Sequence, residues 1–165
     1  MGSDFLGWGD PAEYRAHPRI ISLALIEVTY LFCLAYAAVI KDLKIEPRSI
    51  SFDVRLGRLH SADTDRPVNL HPYVAESGSM LLSRDRYPAP DDTYSTVLDI
   101  PLGDFRPEIA AYEIVKEIYV WFGVETGQIP YTETTSGGTV ISPEQIRSTG
   151  SSRPSGGRSR LRDRP

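Results

Sequence analysis

Cysteine is nearly absent from this chain. Cys33 is the only one in 165 residues, which excludes an intramolecular disulfide. It lies inside an apolar run and reads as a buried thiol acting as a small hydrophobe. The chain is therefore expected in a reducing, cytoplasmic compartment. Histidine is scarce as well. His17, His60 and His71 are scattered, with no cysteine or histidine at metal-ligand spacing. His60 near Asp63 and Asp65 comes closest to a cluster, in a turn region where polar residues are expected anyway. Motifs that hold phosphates or nucleophiles are missing too. Ser77-Gly78-Ser79 lacks the glycine spacing of a nucleophile elbow. Gly7-Trp8-Gly9 has no third glycine and no preceding strand, and Ser136-Gly137-Gly138 is not followed by lysine. Asp91, Asp92, Asp99 and Asp104 fall near strand ends and read as a solvated edge. No catalytic, cofactor-binding or metal-ligating residue is assigned, and no cofactor is expected.

What the chain does have is one long apolar run, residues 20–40, IISLALIEVTYLFCLAYAAVI, with Glu27 as its single formal charge. A bilayer core takes about 20 consecutive apolar residues, so the length suits a membrane span. A carboxylate near the middle of such a span costs about 2.5–3.5 kcal/mol on insertion scales. Ser22, Thr29, Tyr30 and Tyr36 dilute the run further. Asp4, Asp10 and Glu13 precede it where a secretory signal places lysine or arginine. Arg15 and Arg19 before it balance Lys41 and Lys44 after it, so no charge asymmetry sets a topology. The run is therefore read as the central helix of a soluble core, spanning about residues 18–42, and no membrane partner is expected.

On a helical wheel this run is apolar nearly all round. Ile21, Leu25, Val28, Phe32, Ala35 and Val39 form one seam, and Ile20, Leu23, Ala24, Leu31, Leu34 and Ala38 form a second. Ser22, Thr29, Cys33 and Tyr36 form a narrow stripe between them. Two apolar faces predict a helix with one face on a sheet and the other on a partner. Glu27 is read as a carboxylate reaching water at the rim, or as one paired with an arginine across an interface.

After Pro47 the period becomes two. Ile50, Phe52, Val54 and Leu56 alternate with Ser51, Asp53 and Arg55, which predicts a half-buried strand with one wet face. Val68 and Leu70 begin a returning strand, and Met80-Leu81-Leu82 is a short third candidate. RDRYPAPDD, residues 84–92, reads as a loop. Tyr94, Thr96, Leu98, Ile100 and Leu102 share one face of a further strand. Val97 on the other face suggests that this strand is central or covered. Asp104 offers a helix cap, Pro107 and Glu108 suit a first turn, and Gly123 is a stop. The buried stripe of this second helix is Ala111, Ile114, Val115, Ile118 and Phe122. The predicted class is α+β: a long apolar N-terminal helix, three or four antiparallel strands and a C-terminal amphipathic helix. The layers form a two-layer sandwich with a disordered tail.

The predicted boundaries are a segment over residues 1–17 with a short helical turn, a domain over 18–124, and a disordered Gly/Ser/Arg-rich tail over 125–165. Charge divides at the same place. Residues 1–124 carry a net charge of −6 and residues 125–165 a net charge of +2. Arg153, Arg158, Arg160, Arg162 and Arg164 are candidate phosphate contacts through counterion release. No aromatic residue follows Tyr131, so base stacking is not on offer and such contacts would be weak and sequence-tolerant.

The segment FRPEIAAYEIVKEIYVWFG, residues 105–123, resembles part of the C-terminal accessory region of actinobacterial AlbA-type (Schlafen-like) DNA-binding and ATP-binding proteins. The resemblance implies an accessory module. That family's nucleotide-binding residues belong to a domain this chain does not display, so none carries over.

Three functions are in view. The first is a non-catalytic protein-interaction or oligomerisation module. Its candidate interface residues are Ile21, Leu25, Val28, Phe32 and Val39 on the long helix, with Trp121 and Phe122 at the end of the second. The second is a nucleic-acid-associated accessory protein using the basic tail. The third is a small α+β ligand-binding domain or enzyme with a site at the 84–92 loop and the strand ends.

Overall fold

The computed structural model describes residues 18–44, 48–61, 66–76, 79–82 and 86–151. The first elements are β1 (Arg19–Ile21), α1 (Ser22–Leu43), β2 (Ser49–Gly57), β3 (His60–Ser61), β4 (Arg66–Pro67) and β5 (Asn69–His71). Next come β6 (Tyr73–Glu76), β7 (Ser79–Leu82), β8 (Tyr87–Pro88), β9 (Thr93–Pro101) and α2 (Pro107–Trp121). The chain then forms β10 (Thr132–Thr135), β11 (Gly138–Ile141) and α3 (Pro143–Ser151). The class is α+β, with the long apolar helix first. The strands are divided among small sheets, the largest ordered β1-β5-β8 and the others two-stranded.

The largest ribbon is β2 with β9, antiparallel in register from Ser49 opposite Pro101 to Gly57 opposite Thr93. Period-two patterning explains it. Ile50, Phe52, Val54 and Leu56 stand opposite Ile100, Leu98, Thr96 and Tyr94, so one face collects the apolar side chains of both strands. Burial is deepest at Ile50, Phe52 and Ile100, and the far end of the ribbon is only half-covered. The opposite face carries Ser51, Asp53 and Arg55. Val97 there is 61% exposed, so β9 is not covered on that side as its sequence suggested.

The first helix starts later than proline and periodicity predict. Residues 19–21 are extended and pair in parallel with Asn69–His71, while the Pro18 carbonyl accepts the Asn69 N–H at 3.0 Å. The branched Ile20 and Ile21 suit a strand, and the neighbouring segment completes their backbone hydrogen bonds. Lys44 closes the helix in a left-handed conformation, its N–H donating to the Lys41 carbonyl.

The second helix packs against α1, β9 and β11 and is the centre of the fold. Its buried stripe contains Ala111, Ile114, Val115, Ile118 and, just past its end, Phe122. Ala110 and Tyr119 extend it. Asp104 does not cap this helix. It lies in a preceding 3-10 turn, and Arg106 occupies the N-cap position without a side-chain bond. Gly123, at φ 75°, ends the helix, where the Val124 N–H reaches the Tyr119 carbonyl.

The boundary expected after Val124 does not coincide with the end of the core. Ile129, Tyr131, Val140 and Ile141 are buried, and the β10–β11 hairpin packs its second strand on α2. Ser142 N–H donates to the Tyr131 carbonyl and ties the hairpin to the turn before it. These few apolar residues are diluted by Gly, Thr and Ser, so composition alone assigns the segment to the tail. The N-terminal residues 1–17 lie outside the described residues.

Candidate functional site

The inward stripe of α1 is Ser22, Leu23, Ile26, Tyr30 and Cys33. Of the narrow stripe expected between the seams, Ser22 and Cys33 turn inward, Thr29 is half-buried and Tyr36 is exposed. The facing helix presents Ala110 and Ala111, both fully buried, and Tyr119, which lies beside Ser22. The bulk at this contact is supplied by Ile26 and Tyr30, which fall outside both sequence seams.

Most of both seams instead lies on one outward face, while Leu23 turns inward and Ile20 falls in β1. Val28, Leu31, Phe32, Leu34, Tyr36, Val39 and Leu43 are exposed, between 39% and 61%. They account for seven of the nine large hydrophobics exposed among the described residues. The candidates Val28, Phe32 and Val39 thus lie on open surface, and Ile21 and Leu25 are half-buried. Trp121 is half-buried too, its ring 4.9 Å from those of Tyr94 and Phe122, so it closes the end of the ribbon. Phe122 is only 4% exposed and is a core residue; as an interface candidate it is corrected, because the chain turn at Gly123 folds it inward.

A groove of about 360 Å³ runs between α1 and β2. Val28, Thr29, Phe32 and Tyr36 line one wall, Ser51 to Val54 the other, and Ile114 the floor. Aromatic contacts fix its shape. Phe52 meets Phe32, Tyr36 and Phe105 at ring-centroid distances of 6.0–6.4 Å. The polar groups along it are already engaged. The Thr29 hydroxyl donates to the Leu25 carbonyl at 2.7 Å, and the Ser51 hydroxyl donates to Asp99. Arg55 makes a two-point pair with Asp53 at 2.6 and 2.8 Å. Among the described residues the groove therefore offers apolar contact and no convergent acid, base or nucleophile.

The perturbed titrating groups lie in the core. Burial pushes the Cys33 thiol up to about 11, which keeps it protonated and inert. Burial likewise pushes the Tyr119 hydroxyl up, with Ser22 beside it. Neither of these two hydroxyls completes a hydrogen bond of good geometry. His71 is pushed down by burial and then by the charges of Arg19 and Arg86. Glu27 is half-buried and accepts a hydrogen bond from the Tyr131 hydroxyl at 3.4 Å.

Asp91 and Asp92, near the proposed loop site, bond backbone N–H groups of Asp92 and His60. No group of histidine, cysteine and carboxylate residues suited to a metal ion occurs among the described residues. His60 turns its ring towards the Ala89 carbonyl at 3.4 Å, and its sequence neighbours Asp63 and Asp65 lie outside the described residues. Arg153, Arg158, Arg160, Arg162 and Arg164 lie outside them as well.

By length and composition α1 is also able to cross a membrane: 22 residues, with a mean hydropathy of 2.1 in its most apolar window, 17% of it buried. Its buried residues run from Ser22 to Cys33, and beyond them Ile40 still packs against the core while Tyr36 meets Phe52 and Phe105. Crossing would require withdrawing Leu23, Ile26, Tyr30 and Cys33 from the core. Comparison of the chain with protein-family models, with curated proteins and with solved structures gives no match.

Proposed function

We propose that this chain is a non-catalytic interaction module whose working surface is the outward face of α1. The observation that carries this reading is the concentration of exposed apolar side chains on one side of one helix, opposite its buried stripe. Scattered surface hydrophobes need no explanation, but a contiguous patch does. Seven large side chains at about half exposure offer on the order of 600 Å², the upper end for the largest patch of a typical monomer, and such patches often carry function. The adjoining groove enlarges the surface and presents rigid aromatic walls, the kind of feature that anchors a protein contact. Its polar groups are paired within the chain, which favours docking over chemistry.

The test is site-specific photo-crosslinking in the full chain. A photoreactive residue at Leu31 is expected to give a discrete protein adduct. The same residue at Val97, equally exposed on the outer face of the ribbon, is expected to give none. A Leu31 probe that captures only water or lipid overturns the proposal.

A further inference from the structure

We infer that the occupant of this face is a second copy of the chain, its α1 running antiparallel across the first. The inference rests on the docking role proposed above and adds the partner and its register. The midline of the outward face is Ala24, Val28, Leu31, Ala35, Ala38 and Asp42, spaced alternately by four and three. That is the seam of a coiled-coil-like helix pair. Its sizes alternate in blocks, large at Val28 and Leu31, small at Ala35 and Ala38.

An antiparallel pair in which Leu31 of one copy meets Ala35 of the other places every large seam residue against a small one. Val28 then lies opposite Ala38 of the second copy, and the same contacts recur by two-fold symmetry. The flanks agree with this register. In antiparallel pairs, equivalent flanks face each other. Phe32 meets its own copy on one flank, and Leu34 meets its own copy on the other. Near the two ends of the Leu34 flank, Glu27 falls beside Lys41 of the second copy, an opposite-charge contact made twice. A carboxylate can accept from more than one donor, so the Tyr131 bond to Glu27 is compatible with it. The helix dipoles also oppose one another.

A parallel pair in register would instead stack Leu31 on Leu31 and Ala35 on Ala35, leaving voids at the alanine layers. It would also set Glu27 beside Phe32. The area suits the inference as well. The seven exposed side chains, which include the groove's Val28, Phe32 and Tyr36, supply on the order of 600 Å² towards the roughly 800 Å² per partner of a standard interface.

Sedimentation equilibrium of the full chain, without detergent, tests this. The wild type is expected to be a dimer. Leu31→Ala removes the large partner and Ala35→Leu overfills the small one, and each should weaken dimerisation by about tenfold or more. The double variant exchanges large for small and should recover most of the loss. Lys41→Glu should weaken the dimer, and adding Glu27→Lys should restore it. Leu31, Ala35 and Lys41 are exposed, so circular dichroism should show the fold unchanged in the first three single variants. A dimer in which neither double variant recovers overturns the antiparallel register. A strict monomer whose Leu31 probe still captures a different protein overturns self-association and leaves the docking role standing. Recovery only in bilayers overturns both.

Discussion

Ending the chain at Val124 removes the β10–β11 hairpin, and the structure sets the size of the effect. Ile129, Tyr131 and Ile141 are at most 2% exposed, and Val140 is 7% exposed. Burying a side chain of this kind contributes roughly 1.5–3 kcal/mol, so the four together contribute about 6–12 kcal/mol. That sum is an upper bound, because an unfolded chain already buries part of this surface. The loss also uncovers the side of α2 that receives β11 and removes the Tyr131 contact to Glu27. Small domains hold only about 5–15 kcal/mol in total. The chain ending at Val124 should therefore lack a cooperative urea transition by circular dichroism. A chain ending at Ser151, which keeps every described core residue, should unfold in one step. A Val124-terminated chain that unfolds as cooperatively as the longer one, at the same midpoint, would refute the account of the hairpin as part of the core.

Two further predictions concern buried polar groups. Ser22→Ala combined with Tyr119→Phe removes two buried hydroxyls that lack hydrogen bonds of good geometry, and should raise stability by about 1–3 kcal/mol in urea titrations. A loss of stability would instead show that these hydroxyls are bonded inside the core. His71 has a lowered pKa in the folded state, so the unfolded chain binds its proton more readily. Its contribution is fully present above the unfolded value of about 6.5 and is lost as pH falls through that value. Relative to His71→Gln, the wild type should lose stability between neutral and mildly acidic pH. A stability difference between the two that stays constant with pH would contradict this.

Much of the fold is legible in the sequence where one periodicity dominates. The alternation at Ile50, Phe52, Val54 and Leu56 predicts the inner face of β2, and the stripe of α2 from Ala111 to Phe122 is recovered with its stop at Gly123. The orientation of α1 is not legible, because a helix apolar on all sides carries no moment to choose its buried side. Ser22 and Cys33 turn inward, Ser22 beside Tyr119 of the facing helix, and larger residues are left outside. Hydrophobicity ranks side chains by transfer from water and is blind to what the facing helix presents. The hairpin was hidden for a related reason. Composition averages over a window, while Tyr131 and Ile141 bury almost completely among exposed threonines and glycines. The groove follows from the same facts. It exists only because Phe52 and Phe32, twenty residues apart in the chain, are brought together by the turn of the chain after α1.

The outward face of α1 as a protein-docking surface is the claim on which the rest depends. Sedimentation of the intact chain without detergent, beside Leu31→Asp, tests it most directly. The wild type should form a soluble assembly and the variant a folded monomer, since Leu31 is 59% exposed. Identical sedimentation of the two as monomers, with no adduct from a photoreactive residue at Leu31, or recovery of the wild type only with membranes, would contradict it.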